Sequence, residues 1–153
     1  MKKIGIILIA ALLFVSCEED ILELFPEMSA EIDGVEWNSI ARVNKMNDNN
    51  IVISGVSLGG ETILLTINGT TEGTYDIVDA PPGLVAAYNE SELADINNPD
   101  LSNAYLGVIG TVTLSEVNTS KKTLSGTFRF TATRVSDTKD ITAGVFEDIK
   151  YTE

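Results

Sequence analysis

Few side chains in this chain are equipped for chemistry, and their types exclude more than they permit. There are 23 acidic residues, four tyrosines, one tryptophan, one cysteine and no histidine. Without histidine, neither a Ser-His-acid triad nor a histidine-ligated zinc or copper site can be assembled. No glycine-rich loop follows a strand and opens a helix, so a phosphate cradle is not expected. Asp95, Asn97 and Asp100, with Asn98 between them, place oxygen donors close together, as a hard cation such as calcium requires. Their spacing is not that of an EF-hand, and ordinary turns use the same residue types. Asn47-Asp48-Asn49-Asn50 is a second such cluster. Carboxylate pairs suit glycoside hydrolysis only at a set separation across a sugar, and no pair here is singled out. The expectation is a protein that is not an enzyme and has no cofactor, with a carboxylate-dependent hydrolase as the remote alternative. Aromatic faces are the other route to a ligand. Tyr88 and Tyr105 flank an irregular stretch and are the candidates for a binding surface. Trp37 alternates with Val35 and Ser39 after a tight turn, which is the pattern of a core plug.

The one cysteine, Cys17, carries the most specific chemistry. Lys2 and Lys3 precede an apolar run, Ile4–Val15, broken only by Gly5, and small Ser16 stands before the cysteine. This is the layout of a cleavable secretory leader. Twelve residues span only about 18 Å as a helix, too short for a hydrocarbon core of about 30 Å. Phe14-Val15-Ser16-Cys17 resembles a bacterial lipobox, in which the cysteine sulfur is acylated and the cysteine becomes the mature N-terminus. Two or more acyl chains hold a protein stably on a membrane where one does not. The expected organisation is a lipoprotein signal peptide over 1–16, an acidic lipid-anchored tether over 17–26 and one domain over 27–153. Glu18-Glu19-Asp20 directly after the cysteine resembles the surface-export signal of Bacteroidota lipoproteins. The expected location is the outer membrane, facing outward, with the periplasmic face as the alternative.

Removing the leader takes Lys+Arg from 10 to 8 against 23 acidic residues, a net charge near −15. Such a surface repels phosphate backbones, so nucleic acid is not an expected partner. A single cysteine permits no disulfide within the chain, and a domain of this size needs none to bury a core.

The elements that must position these residues are strands. Apolar residues recur with period two: Leu124, Gly126, Phe128, Phe130 and Ala132 alternate with Ser125, Thr127, Arg129 and Thr131, a half-buried antiparallel strand. Val112 and Leu114 repeat the pattern, and Ile63, Leu65 and Ile67 do so in a strand whose other face is also partly apolar. Asp33-Gly34 is a two-residue hairpin signal. Asn47–Asn50, Gly59-Gly60 and Asn118–Lys122 mark further turns, and Ser136–Asp140 leads into a last strand, Ile141–Tyr151. Gly55, Gly107, Gly110 and Gly126 inside strand patterns suggest bulges that curl a sheet. The alternation fades only across Asp79–Asn103, where Val85–Tyr88 remains a short strand; a binding edge is expected there. The fold class is all-β: a single antiparallel β-sandwich or small flattened β-barrel of about eight or nine strands.

Several segments together carry a family likeness: Ala30-Glu31-Ile32-Asp33-Gly34-Val35-Glu36-Trp37, Gly73-Thr74-Tyr75, Leu124–Ala132 and Ile141–Ile149. Their order resembles that in a family of small Bacteroidota lipoproteins of unknown function, with Ala143 where the family often has Asn or Asp. The resemblance implies an extracytoplasmic β domain and no catalytic residues. The expected function is a non-catalytic binding module attached to the membrane through its N-terminal lipid. Its expected partner is a glycan, a peptide or an envelope protein, and an accessory subunit of an envelope complex is the alternative.

Overall fold

The computed structural model describes residues 28–78, 82–91 and 101–153. Nine strands succeed one another: β1 (Met28–Ile32), β2 (Val35–Met46), β3 (Ile51–Ser57), β4 (Thr62–Ile67), β5 (Gly73–Asp76), β6 (Leu84–Asn89), β7 (Tyr105–Asn118), β8 (Thr123–Arg134) and β9 (Asp137–Lys150). All strand pairings are antiparallel, in the order β7-β6-β4-β3-β2-β1-β9-β8, and β8 returns to β7. The sheet is therefore a closed eight-stranded barrel of up-and-down connectivity, with β5 as one extra strand. Of the two all-β architectures expected, the barrel is the one formed. Closure removes the unpaired edges that a sandwich of these strands would expose. No helix is found among the described residues.

The alternating residues do what their period requires. Phe128, Phe130 and Ala132 face inward with Ile51, Ile53, Ile63, Leu65, Val112, Leu114 and Phe146, while Thr127 and Arg129 face out. This apolar, side-chain-filled interior is the reverse of the polar lumen of a membrane-spanning barrel. Trp37 is 2% exposed and sits in the core, as its alternation predicts. Gly55 makes room for it: a Cβ there would stand 2.8 Å from the indole and 2.9 Å from the Met28 sulfur. The Phe128 and Phe146 rings stack with centroids 6.3 Å apart. The barrel axis is thus filled by side chains, as an eight-stranded barrel's interior can be.

Bulges provide the curvature. The register shifts between Phe128 and Phe130, and again between Leu124 and Gly126, where β8 faces β9. Ala143 and Asp148, one in each extra stretch of β9, take left-handed φ of 48°. Ala143 therefore occupies a bulge within β9. The last strand also begins at Asp137, earlier than the turn residues suggested, because the β8–β9 connection is only Val135-Ser136. Further shifts accompany Gly107 in β7 and Ser39–Ala41 in β2. Beyond the short β1, the C-terminus completes the wall: Thr152 bridges Lys45 in parallel and exchanges backbone hydrogen bonds with Met46 and Asn44.

The apolar outer face of β4 is explained by a small second cluster. Leu64 and Ala87 are buried against Ala104, with Val52 and Leu101 packed alongside. The described end of the β6–β7 connection therefore covers the outside of the barrel there.

Candidate functional site at the barrel mouth

Up-and-down connectivity gathers alternate turns at one end. The β1–β2, β3–β4 and β8–β9 turns and the two described ends of the β6–β7 connection meet at this mouth; the β2–β3 and β7–β8 turns lie at the other end. Asp33 and Gly34 have φ of 51° and 79°, the two left-handed residues of a type I′ hairpin turn. The Asp33 carboxylate accepts from the Lys139 ammonium at 3.0 Å and from the Asp140 amide at 2.9 Å. The β3–β4 turn is held by Ser57: its hydroxyl accepts from the Glu61 amide at 3.1 Å and donates to Glu61 Oε2 at 3.0 Å. Glu61 in turn gathers two core aromatics. Its carbonyl accepts from Trp37 Nε1 at 3.3 Å, and its Oε1 accepts from the Tyr88 hydroxyl at 3.3 Å.

These groups enclose an open cavity of about 390 Å³, floored by Trp37 and Tyr88 and walled by Asp33, Glu36, Glu61, Glu90 and Lys139. Burial and the Glu61 carboxylate raise the Tyr88 phenol above its ordinary pKa, because both oppose a phenolate. Beside the cavity, the Tyr105 hydroxyl donates to Asp137 Oδ2 at 2.6 Å and accepts from Arg134 Nη2 at 2.6 Å. Arg134 also reaches Glu90 Oε2 and the Asn103 carbonyl, each at 3.0 Å. The Tyr105 phenol is raised above its usual pKa by its bond to Asp137, and the same bond holds Asp137 below the usual carboxylate range. Lys139 is raised and Asp33 lowered; the Asp33–Lys139 bond is the largest cause for the first, and the Asp140 amide, then Lys139, for the second. These shifts favour ionised Asp33 and Asp137, a charged Lys139 and protonated phenols at Tyr88 and Tyr105.

Tyr88 and Tyr105 do come together at this mouth, with ring centroids 5.8 Å apart. They do not offer the exposed stacking faces expected of them: the residues are 3% and 0% exposed. The strand alternation turns both rings inward. Tyr88 meets the cavity as part of its floor, and Tyr105 braces the wall through its hydroxyl. Cys17, Asp95, Asn97 and Asp100 lie outside the described residues. In the Asn47–Asn50 cluster, Asn47 Oδ1 accepts from the amides of Asn49 and Asn50, both at 3.0 Å, which is the bond of an ordinary turn. Among the described residues no three acidic side chains converge as a metal site would need.

Sequence reasoning missed the charged residues of the mouth. Glu61, Glu90 and the Arg134–Lys139 hairpin are far apart in the chain, and each residue stands at or beside a strand end. Their one shared signal is position: all flank turns that up-and-down connectivity sends to the same end. A second open groove, about 490 Å³, crosses the outer wall at the β7–β9 bulges, between Val78, Ile109, Arg129 and Asp140. No curated protein and no solved structure matches the chain. A family model does match, over residues 25–150, and the chain accordingly belongs to the family described as a domain of unknown function, DUF6252.

Proposed function

We propose that this protein is a non-catalytic binding module of a bacterial envelope, tethered to the outer membrane by acyl chains on Cys17, with the barrel mouth as its binding end. The observation that carries the reading is the cavity at the mouth, aromatic at its floor and charged on its walls. Binding sites commonly occupy the mouths of β-barrels and combine apolar lining with a few placed polar groups. Direction supports it too. β1 runs from Met28 toward the Asp33-Gly34 turn, so a tether joined at Met28 would attach at the end of β1 remote from the mouth and leave the mouth free. The lipobox-like Phe14–Cys17, the acidic residues 18–20 and the segment order of Bacteroidota lipoproteins support the anchor and outward display.

Trp37 is the only tryptophan, so its fluorescence reports directly on the cavity floor. Titration with panels of glycans and peptides should produce at least one saturable change, and silence across both would remove the reading. Mass spectrometry of the mature protein should find Cys17 acylated at a new N-terminus. Protease should digest the domain on intact cells if it is displayed outward. An accessory-subunit role has its own support in the exposed Val85, Leu106, Ile109 and Val78 on the outer wall. It predicts co-purification with an envelope protein that substitutions at Ile109 disrupt.

A further inference from the structure

Three described tips of the mouth are apolar, whereas the β2–β3 and β7–β8 turns at the opposite end are polar. Val35 is 69% exposed in the β1–β2 hairpin, Leu58 86% in the β3–β4 turn and Val135 104% in the β8–β9 turn. The far-end turns present Asn47-Asp48-Asn49-Asn50 and Thr119-Ser120-Lys121-Lys122, with no aliphatic tip in either. Packing does not account for the three mouth tips, since all are in solvent. Val135 also holds a left-handed φ of 57°, which a β-branched residue adopts only under strain. Strain of this kind points to a role beyond folding.

We propose that the mouth docks a partner protein by receiving one of its lysine or arginine side chains in the cavity, while Val35, Leu58 and Val135 grip the apolar residues beside it. The proposal rests on the mouth being the binding end and names the chemistry of what it binds. Charge selects the occupant. Among the described residues, Asp33, Glu36, Glu61 and Glu90 line the cavity against Lys139, a net charge of −3, and adding the neighbouring Arg134 and Asp137 leaves that balance unchanged. A recessed site with low-dielectric walls strengthens such a field. A cation is already accommodated against an aromatic ring at this end: Arg134 lies over Tyr105, 4.1 Å from its centroid. A volume of about 390 Å³ is enough for one long basic side chain. The same charge disfavours anionic lipid headgroups.

The test uses the full chain and its Trp37 fluorescence. The capped tripeptide leucine-lysine-leucine should give a saturable change. Replacing its lysine with norleucine should weaken binding at least tenfold, and replacing it with glutamate should abolish it. Leu58→Ser with Val135→Ser should weaken binding at least threefold without lowering Tm, and Glu36→Gln should weaken it severalfold. Equal binding of the norleucine peptide, or co-sedimentation with phosphatidylcholine vesicles in place of peptide binding, overturns the proposal. Saturation by cellobiose or by the glutamate peptide, with none by the lysine peptide, also overturns it but leaves the mouth as the binding end. Silence from every probe removes both.

Discussion

Arg134 clamps Tyr105 from two directions: its guanidinium carbon lies 4.1 Å from the ring centroid, and its Nη2 donates to the phenol oxygen at 2.6 Å. The pair joins the end of β8 to the start of β7, and through Asn103 and Glu90 it also fastens both described ends of the β6–β7 connection. The wall of the mouth is set by this clamp, because the Tyr105 ring is buried while its hydroxyl is bonded on both sides.

Lysine cannot replace that arginine. It keeps the charge but loses the planar stack and the fork of donors. Arg134→Lys should lower Tm by a few degrees and speed hydrogen exchange at 101–106, while leaving exchange in the far half of β8 unchanged. An unaltered exchange pattern would show that the clamp does not hold the connection.

The acid limb of stability should come partly from the mouth. Asp33 and Asp137 are both held below the ordinary carboxylate value of 3.8 in the folded protein. A lowered folded pKa adds stability above the unfolded value, and that stability is lost as pH falls through the folded one. Tm should therefore be level near pH 6 and fall below about pH 4, and Asp33→Asn or Asp137→Asn should each flatten that fall. Lys139 acts with the opposite sign: its pKa is raised above 10.5, so its contribution is present below that value and lost as pH rises past it. Tyr88, raised above 10, should stay protonated at about pH 10 to 11. Tyr88→Phe should leave the phenolate absorbance titration unchanged in that interval.

Gly126 has no room for a methyl group. A Cβ there would meet the Thr113 carbonyl and stand 2.6 Å from the Phe146 ring. Gly126→Ala should destabilise the domain by about 2 kcal/mol, the usual scale of overpacking. Chemical denaturation would measure it, and a change smaller than about 0.5 kcal/mol would mean that the bulge yields.

Val135→Asn tests the strained turn. Asparagine tolerates the left-handed region that valine resists, so the substitution should stabilise by about 1 kcal/mol while removing an apolar tip. Higher Tm with weaker peptide binding is the expected combination; lower Tm would mean that the valine supports the fold.

Much of the fold was legible in the amino-acid sequence. The period-two runs of Leu124–Ala132 and Ile63–Ile67 named their inward faces, Asp33-Gly34 named its hairpin, and Trp37 was placed in the core by its neighbours. Local residue patterns settle such features because side-chain alternation and turn geometry act within a few residues. Other outcomes depended on distant partners. Whether the sheet closed as a barrel was decided by β1 pairing with β9 across the length of the chain, while bulges at Ala143 and Asp148 adjust the register of β9 against β8. The burial of Tyr88 and Tyr105 followed from which face of β6 and β7 turned inward once the ring was closed. The charged mouth was decided last of all. Asp33 meets Lys139 and Glu90 meets Arg134 only because connectivity returns alternate turns to one end, and electrostatic pairing between residues so far apart leaves no periodic trace in the chain.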